Sequence, residues 1–134
     1  MAAASARIDG MAEARGEYGE RQAEVWLHER GLRTITRNYQ CRAGEIDLVM
    51  LDPNPADTEV LAFVEVRLRG AGARVDGIDS IDEHKQRRLV AAARHFLMCH
   101  PEWCEHACRF DVIGISDGDG DLRWIPDAFE AGSD

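Results

Sequence analysis

Two apolar runs that carry charges in their middles constrain this chain most. They are Gly44-Glu45-Ile46-Asp47-Leu48-Val49 and, after a short loop, Phe63-Val64-Glu65-Val66-Arg67. Both are rich in β-branched and aliphatic residues and read as adjacent strands. Side chains alternate along a strand, so Glu45 and Asp47 are expected on one face, with Ile46, Leu48 and Met50 on the other. Glu65 and Arg67 likewise share a face, opposite Val64 and Val66. Charges inside apolar strands are costly when buried without partners. Paired across a hairpin, Asp47, Glu65 and Arg67 would instead form one compact patch. Carboxylates held that close suit a hard divalent ion such as Mg²⁺.

Such a patch needs a core to hold it. The chain has 134 residues, 45% hydrophobic and 31% charged, which suits one folded domain and argues against disorder. No apolar run reaches the length of a membrane span, so no membrane association is expected. The opening Met1-Ala2-Ala3-Ala4-Ser5-Ala6-Arg7 lacks the apolar segment of a secretory signal. The expected compartment is therefore cytoplasmic, with the four cysteines as reduced thiols. A net charge of −9 argues against coating nucleic acid by bulk electrostatics. It leaves room for a local basic stripe beside an acidic site.

Residues 1–13 are small and polar and read as a disordered tail, 14–129 as a single domain, and 130–134 as a second tail. From Ala14 to Arg30 the pattern is helical: Glu20, Ala23 and Leu27 lie on one face, Trp26 flanks it, and Gly31 is a stop. Glu20 is then either an edge residue that reaches water or a member of the charged patch. Leu32 to Tyr39 forms a first strand, 52–57 a loop, and the Glu65 strand starts near Val60. Arg69-Gly70-Ala71-Gly72-Ala73-Arg74 reads as a basic loop beside the patch or as a plain solvated connector.

Ser80-Ile81-Asp82-Glu83 has the form of a capping box, opening a helix that runs to about Met98. Its apolar face carries Ile81, Leu89, Ala92 and Phe96, and Lys85 as well, with Arg87, Arg88 and Arg94 to the sides. Charged residues found repeatedly where core is expected tend to mark a functional site. Arg109 to Ile115 is another strand, 117–120 a turn, and Leu122 to Ile125 a hairpin partner. Asp117, Asp119 and Asp121 do not make an EF-hand, because Leu122 and Ala128 stand where Gly and Glu are needed. Cys99, His100, Cys104, His106 and Cys108 contain no Cys-x-x-Cys pair, so buried free thiols with surface histidines are expected instead of zinc.

The order helix, three strands, helix, two strands resembles the core of the PD-(D/E)XK nuclease superfamily. The closest likeness is to the YraN-like family of small bacterial proteins, itself similar to archaeal Holliday junction resolvases. The residues that carry it are Gly19-Glu20, Gly44-Glu45-Ile46-Asp47, Phe63-Val64-Glu65-Val66-Arg67, Lys85, Arg109-Phe110-Asp111-Val112 and Asp127-Ala128-Phe129. Together they span nearly the whole chain from Ala14 to Phe129. The resemblance implies an α/β, restriction-endonuclease-like fold, a mixed β-sheet flanked by helices in αβββαββ order. It further implies a Mg²⁺- or Mn²⁺-dependent endonuclease acting on DNA, branched DNA included, and working as a homodimer on four-way junctions. Asp47, Glu65 and Glu20 would be the metal ligands and, with Arg67 and Lys85, the catalytic set. Arg69, Arg74, Arg87 and Arg88 would grip backbone phosphates.

One departure bears on activity. The superfamily's signature ends in lysine, and this chain has Arg67, which stays protonated and cannot act as a base. Arg67 could still stabilise charge on a phosphate, Lys85 could supply the ammonium, or activity could be lost. Two other functions therefore stay open. A non-catalytic nucleic-acid-binding module would need the arginines and not the carboxylates. A protein-interaction domain is favoured by the acidic charge.

Overall fold

The stripe of Ala23 and Leu27 belongs to helix α1 (Ala2–Glu29), which starts at Ala2 and not at Ala14. The computed structural model describes residues 2–53, 58–69, 81–116 and 121–131. Gly31 ends α1 at φ 94°, a conformation that costs glycine little. There the Gly31 N–H donates to the His28 carbonyl and the Leu32 N–H to the Leu27 carbonyl, at 3.0 and 3.1 Å. Two carbonyls of the last turn are satisfied in this way, and the chain reverses into β1 (Arg33–Cys41).

Strands β2 (Gly44–Asp52) and β3 (Val60–Arg69) follow, then helix α2 (Glu83–Cys99), β4 (Ala107–Ser116) and β5 (Leu122–Phe129). The five-stranded sheet has the order β1-β2-β3-β4-β5. β3 and β4 run parallel and every other neighbouring pair antiparallel, so the sheet is mixed. A parallel pair needs a crossover connection, and α2 lies in it. Thus the αβββαββ order holds, with helices flanking a mixed sheet.

Alternation along the strands builds a core on each face. On the α1 side Ala23, Leu27 and Leu32 pack on Leu48, Met50, Ala62, Val64, Ile113 and Ile115. On the other side Leu89, Ala92 and Phe96 of α2 pack on Val49, Leu51, Leu61 and Phe63. Ile46 joins this second cluster, which corrects the expectation that it shares a face with Leu48 and Met50. The cause lies in the neighbouring strand. Asn38 sits at φ 51°, between Arg37, which pairs with Leu48, and Tyr39, which pairs with Ile46. A left-handed residue breaks the pleat there, and the side chains before and after it turn to opposite faces.

The cap of α2 is a second correction. Asp82 is the N-cap, its carboxylate accepting from the Lys85 N–H at 2.8 Å. Ser80 lies outside the described residues, as does the 117–120 turn. β5 reaches Phe129, past the expected end at Ile125. The thiols are a third correction: Cys99, Cys104 and Cys108 are exposed and Cys41 half-buried. Cys99 closes α2 and Cys104 follows a single 3₁₀ turn, so neither reaches the sheet's interior.

Candidate active site

β2 and β3 pair from Asp52↔Val60 to Leu48↔Val64 and then part. At that fork the Val66 N–H donates to Asp47 Oδ2 at 2.8 Å, so a side chain stands in for the strand carbonyl. Asp47 is thereby fixed in the fork by the backbone of the strand that carries Glu65. Glu20 comes from α1 and lies near enough to Asp47 for the two carboxyls to interact. Glu65 is buried, and on its outer side Lys85 of α2 reaches in, Nζ 2.8 Å from Glu65 Oε2. Three acids and one ammonium from four separate elements therefore meet where the sheet opens.

The close packing of α2 on β2 brings the lysine there. A Cβ on Gly44 would lie 2.6 Å from the Arg88 carbonyl oxygen, so only glycine lets the helix approach the start of β2 this closely. Lys85 is in the first turn of α2, beyond the buried stripe of Leu89, Ala92 and Phe96. Its side chain is 52% exposed, with the stem along the helix and the charge on Glu65.

The electrostatics of the fork are those of crowded carboxylates. Burial and then the charge of Glu65 push the Asp47 carboxyl up to about 8, against the Val66 N–H that favours ionisation. Glu20 is raised as well, first by burial and further by the charges of Glu45, Glu17 and Glu65. With both carboxyls raised, the neighbouring Glu20 and Asp47 favour protonation over two bare charges side by side. Among the described residues no three or more His, Cys, Asp or Glu side chains are grouped so that they could hold a metal ion as they stand. The donor chemistry nonetheless suits a hard cation: oxygen donors only, one fixed by a backbone N–H, and a surplus of negative charge. A cation between Asp47 and Glu20 would offset the like charge that otherwise favours protonation there.

The other residues singled out in the sequence separate around this centre. Arg67 is half-buried on β3, on the strand face of Glu65. Arg88 is exposed on α2 beside Gly44, near the fork. Arg87 turns away: it pairs with Glu83 at 3.9 Å and lines a groove with Arg94 and Glu130 on another side of α2. Arg69 ends β3, but its side chain, like the whole of Arg74, lies outside the described residues.

Two further acids have a place in the structure that the sequence did not assign: Glu24, and Asp111, whose stretch had figured only in the family resemblance. Glu24 is only 6% exposed on α1 and is bound by Thr34 and Arg37 of β1. Asp111, fully buried on β4, accepts from Arg109 Nε at 2.9 Å, Trp124 Nε1 at 3.1 Å and the Asp127 N–H at 3.0 Å. Arg109 in turn lies 2.8 Å from Asp52 of β2. The signal for Asp111 was the one used for Asp47, a carboxylate inside an apolar strand. For Glu24 it was the helical spacing of four from Glu20.

Among the described residues no helix is long and apolar enough to cross a membrane. The chain is 47% identical over 118 residues to a UPF0102 protein of Stutzerimonas stutzeri, covering 87% of this chain and 94% of the relative. It is 46% identical over 121 residues to one of Nitrosococcus oceani, covering 89% and 94%. A third, from Alcanivorax borkumensis, is 44% identical over 117 residues, covering 85% and 90%. The profile of the uncharacterised protein family UPF0102 matches residues 19–115, a stretch that runs from α1 through β4 and takes in Glu20, Asp47, Glu65, Lys85 and Asp111. With relatives this similar along most of their length, the chain belongs to the uncharacterised protein family UPF0102, the YraN-like proteins.

Proposed function

We propose that this protein is a divalent-metal-dependent endonuclease that hydrolyses phosphodiester bonds in DNA, with branched DNA as its favoured substrate. The observation that carries this reading is the meeting of Glu20, Asp47 and Glu65 at the β2–β3 fork with Lys85 against Glu65. Asp47, Glu20 and the free oxygen of Glu65 would hold Mg²⁺ or Mn²⁺. The ion would supply Lewis-acid stabilisation of charge on the phosphoryl oxygens.

The chain's own residues do the rest. The Val66 N–H holds one Asp47 oxygen and leaves the other outside that bond. Lys85, anchored on Glu65 and half in solvent, stands where an ammonium can offset charge gathering on the phosphate. That position gives the missing signature lysine a physical substitute: an ammonium on the same carboxylate, delivered from α2. Arg67 on the same strand face adds a fixed positive charge and cannot take a proton from water. A homodimer would set one such site on each of two strands of a junction.

The test is cleavage of labelled linear, flapped and four-way-junction DNA with Mg²⁺ or Mn²⁺. The parent protein should cut only with metal. Asp47→Ala should reduce cleavage to background while keeping the fold and metal-free DNA binding. Binding by the parent without cleavage, and no difference in Asp47→Ala, would make the non-catalytic module the better account.

A further inference from the structure

Beside the fork, next to Glu20, lies a cavity of about 250 Å³ lined by three glutamates (Glu17, Glu20, Glu24), two arginines (Arg21, Arg37), Asn38 and Leu48. Two of its side chains carry a positive head, Arg21 and Arg37, both exposed, and the Arg37 side chain is 61% exposed. The Arg37 head is not free to wander. Glu24 Oε1 accepts from Arg37 Nε at 2.9 Å, and Glu24 Oε2 lies 2.7 Å from Arg37 Nη2. Thr34 donates to the same carboxylate, and His28 lies 3.8 Å from it. The carboxylate is thus buried and saturated, while the guanidinium it grips faces water.

This asymmetry is informative. A pin between α1 and β1 could be made from apolar side chains at no loss, since buried ion pairs seldom improve on them. What an apolar pair cannot do is hold a guanidinium in one orientation. The side-on grip uses the Nε and one Nη2 hydrogen and leaves the end-on edge, Nη1 with the second Nη2 hydrogen, outside the pair; that edge can bind phosphate oxygens in pairs. The same cavity wall carries Glu20 of the fork, so a strand lying across Asp47 passes along it. Glu17 and Glu20 repel a phosphate there, and Arg37, with Arg21 of the same lining, supplies the opposing charge.

We infer that Arg37, aimed by the buried carboxylate of Glu24, is a phosphate-binding residue that holds the DNA backbone in the cavity next to Glu20. The inference rests on the nuclease reading and names a second contact for its substrate.

The experiment measures binding of a fluorescein-labelled four-way DNA junction without divalent ions, over a range of salt. Arg37→Ala should weaken binding and flatten the slope of log affinity against log salt by about 0.9, the share of one phosphate contact. Because that variant leaves Glu24 buried without its cation, the double variant Glu24→Gln/Arg37→Ala carries the same expectation without a stranded charge. Glu24→Gln alone keeps the positive charge and should keep the slope, yet lose affinity and metal-dependent cleavage through loss of aim. Thermal unfolding of each variant checks the fold. An unchanged slope in both Arg37 variants, with cleavage intact, would overturn the inference and leave the nuclease reading standing. Unchanged affinity and cleavage in Glu24→Gln would overturn the aiming role. A parent protein that binds no junction at low salt would end both readings.

Discussion

Asp111 and Asp47 are both aspartates set inside apolar strands, and the fold treats them in opposite ways. Asp111 is fully buried and meets three donors: a guanidinium, an indole N–H and a backbone N–H. Asp127, at φ 53°, turns its N–H inward to provide the last of these. Asp47 meets one backbone N–H and two other acids, and its carboxyl is pushed up to about 8. A saturated buried carboxylate ties β4 to β5 and, through Arg109 and Asp52, to β2. An unsaturated one, crowded by like charge, is costly to the fold and available to a ligand. The charge within a strand is the same; its surroundings assign the role.

The largest expected effect breaks the saturated site. Asp111→Ala leaves the largely buried Arg109 with Asp52 as its one remaining carboxylate and removes the partner of Trp124 and of the Asp127 N–H. A loss of about 3 kcal/mol or more is expected in denaturant unfolding, the usual cost of breaking a buried pair from one side. Asp47→Asn should do the reverse. The amide keeps the acceptor for Val66 and gives Glu20 a neutral donor, so stability should hold or rise while metal-dependent cleavage disappears. A destabilisation of Asp47→Asn equal to that of Asp111→Ala would erase the distinction and make the fork a structural site.

The next effect sharpens the contrast by titration. The folded value of Asp47 lies above its ordinary 3.8, so between that pH and about 8 the folded chain binds more protons than the unfolded chain. Stability tied to this group is therefore fully present below pH 3.8 and is lost as pH rises through about 8. Glu20, also raised, pulls in the same direction. Without metal, the melting temperature should fall across that window. Mg²⁺ should restore it at the alkaline end, where the carboxylates are charged and can bind the ion. A flat profile in Asp47→Asn would locate the effect at the fork. A parent profile unmoved by Mg²⁺ or Mn²⁺ would remove the support for a cation there.

Much of this was legible in the sequence because it depends on local periodicity. The strands of Asp47, Glu65 and Asp111 announce themselves by aliphatic alternation, and α2 by the spacing of Leu89, Ala92 and Phe96. Three acids and Lys85 stood out because each broke such a pattern. What stayed hidden depends on partners distant in the chain. Nothing near Asp111 says that Trp124 and Asp127 fold back onto it, and nothing near Glu24 names Arg37. The same distance hid the face of Ile46, which turns on Asn38 in another strand. Sequence pattern finds the charge in the wrong place; only the sheet's register shows whether it is satisfied.

The smallest stability effect tests which cation serves the fork. Lys85 is half exposed but Glu65 is buried, so Lys85→Ala leaves that carboxylate without its ammonium and should cost some stability, less than Asp111→Ala does. Its electrostatic consequence reaches further than its stability. Glu65 is one of the charges holding Asp47 protonated, and the ammonium is the near counter-charge that mutes it. With Lys85 gone, Asp47 should titrate at a higher pH, moving the metal-free melting profile in the alkaline direction. Cleavage at neutral pH should fall, because the fork is more protonated and the charge near the phosphate is lost. Arg67→Lys, which keeps a cation on β3 and restores the superfamily's signature, should leave that profile in place and keep or raise cleavage. A shift of the profile in Arg67→Lys and none in Lys85→Ala would transfer the role from the helix back to the strand.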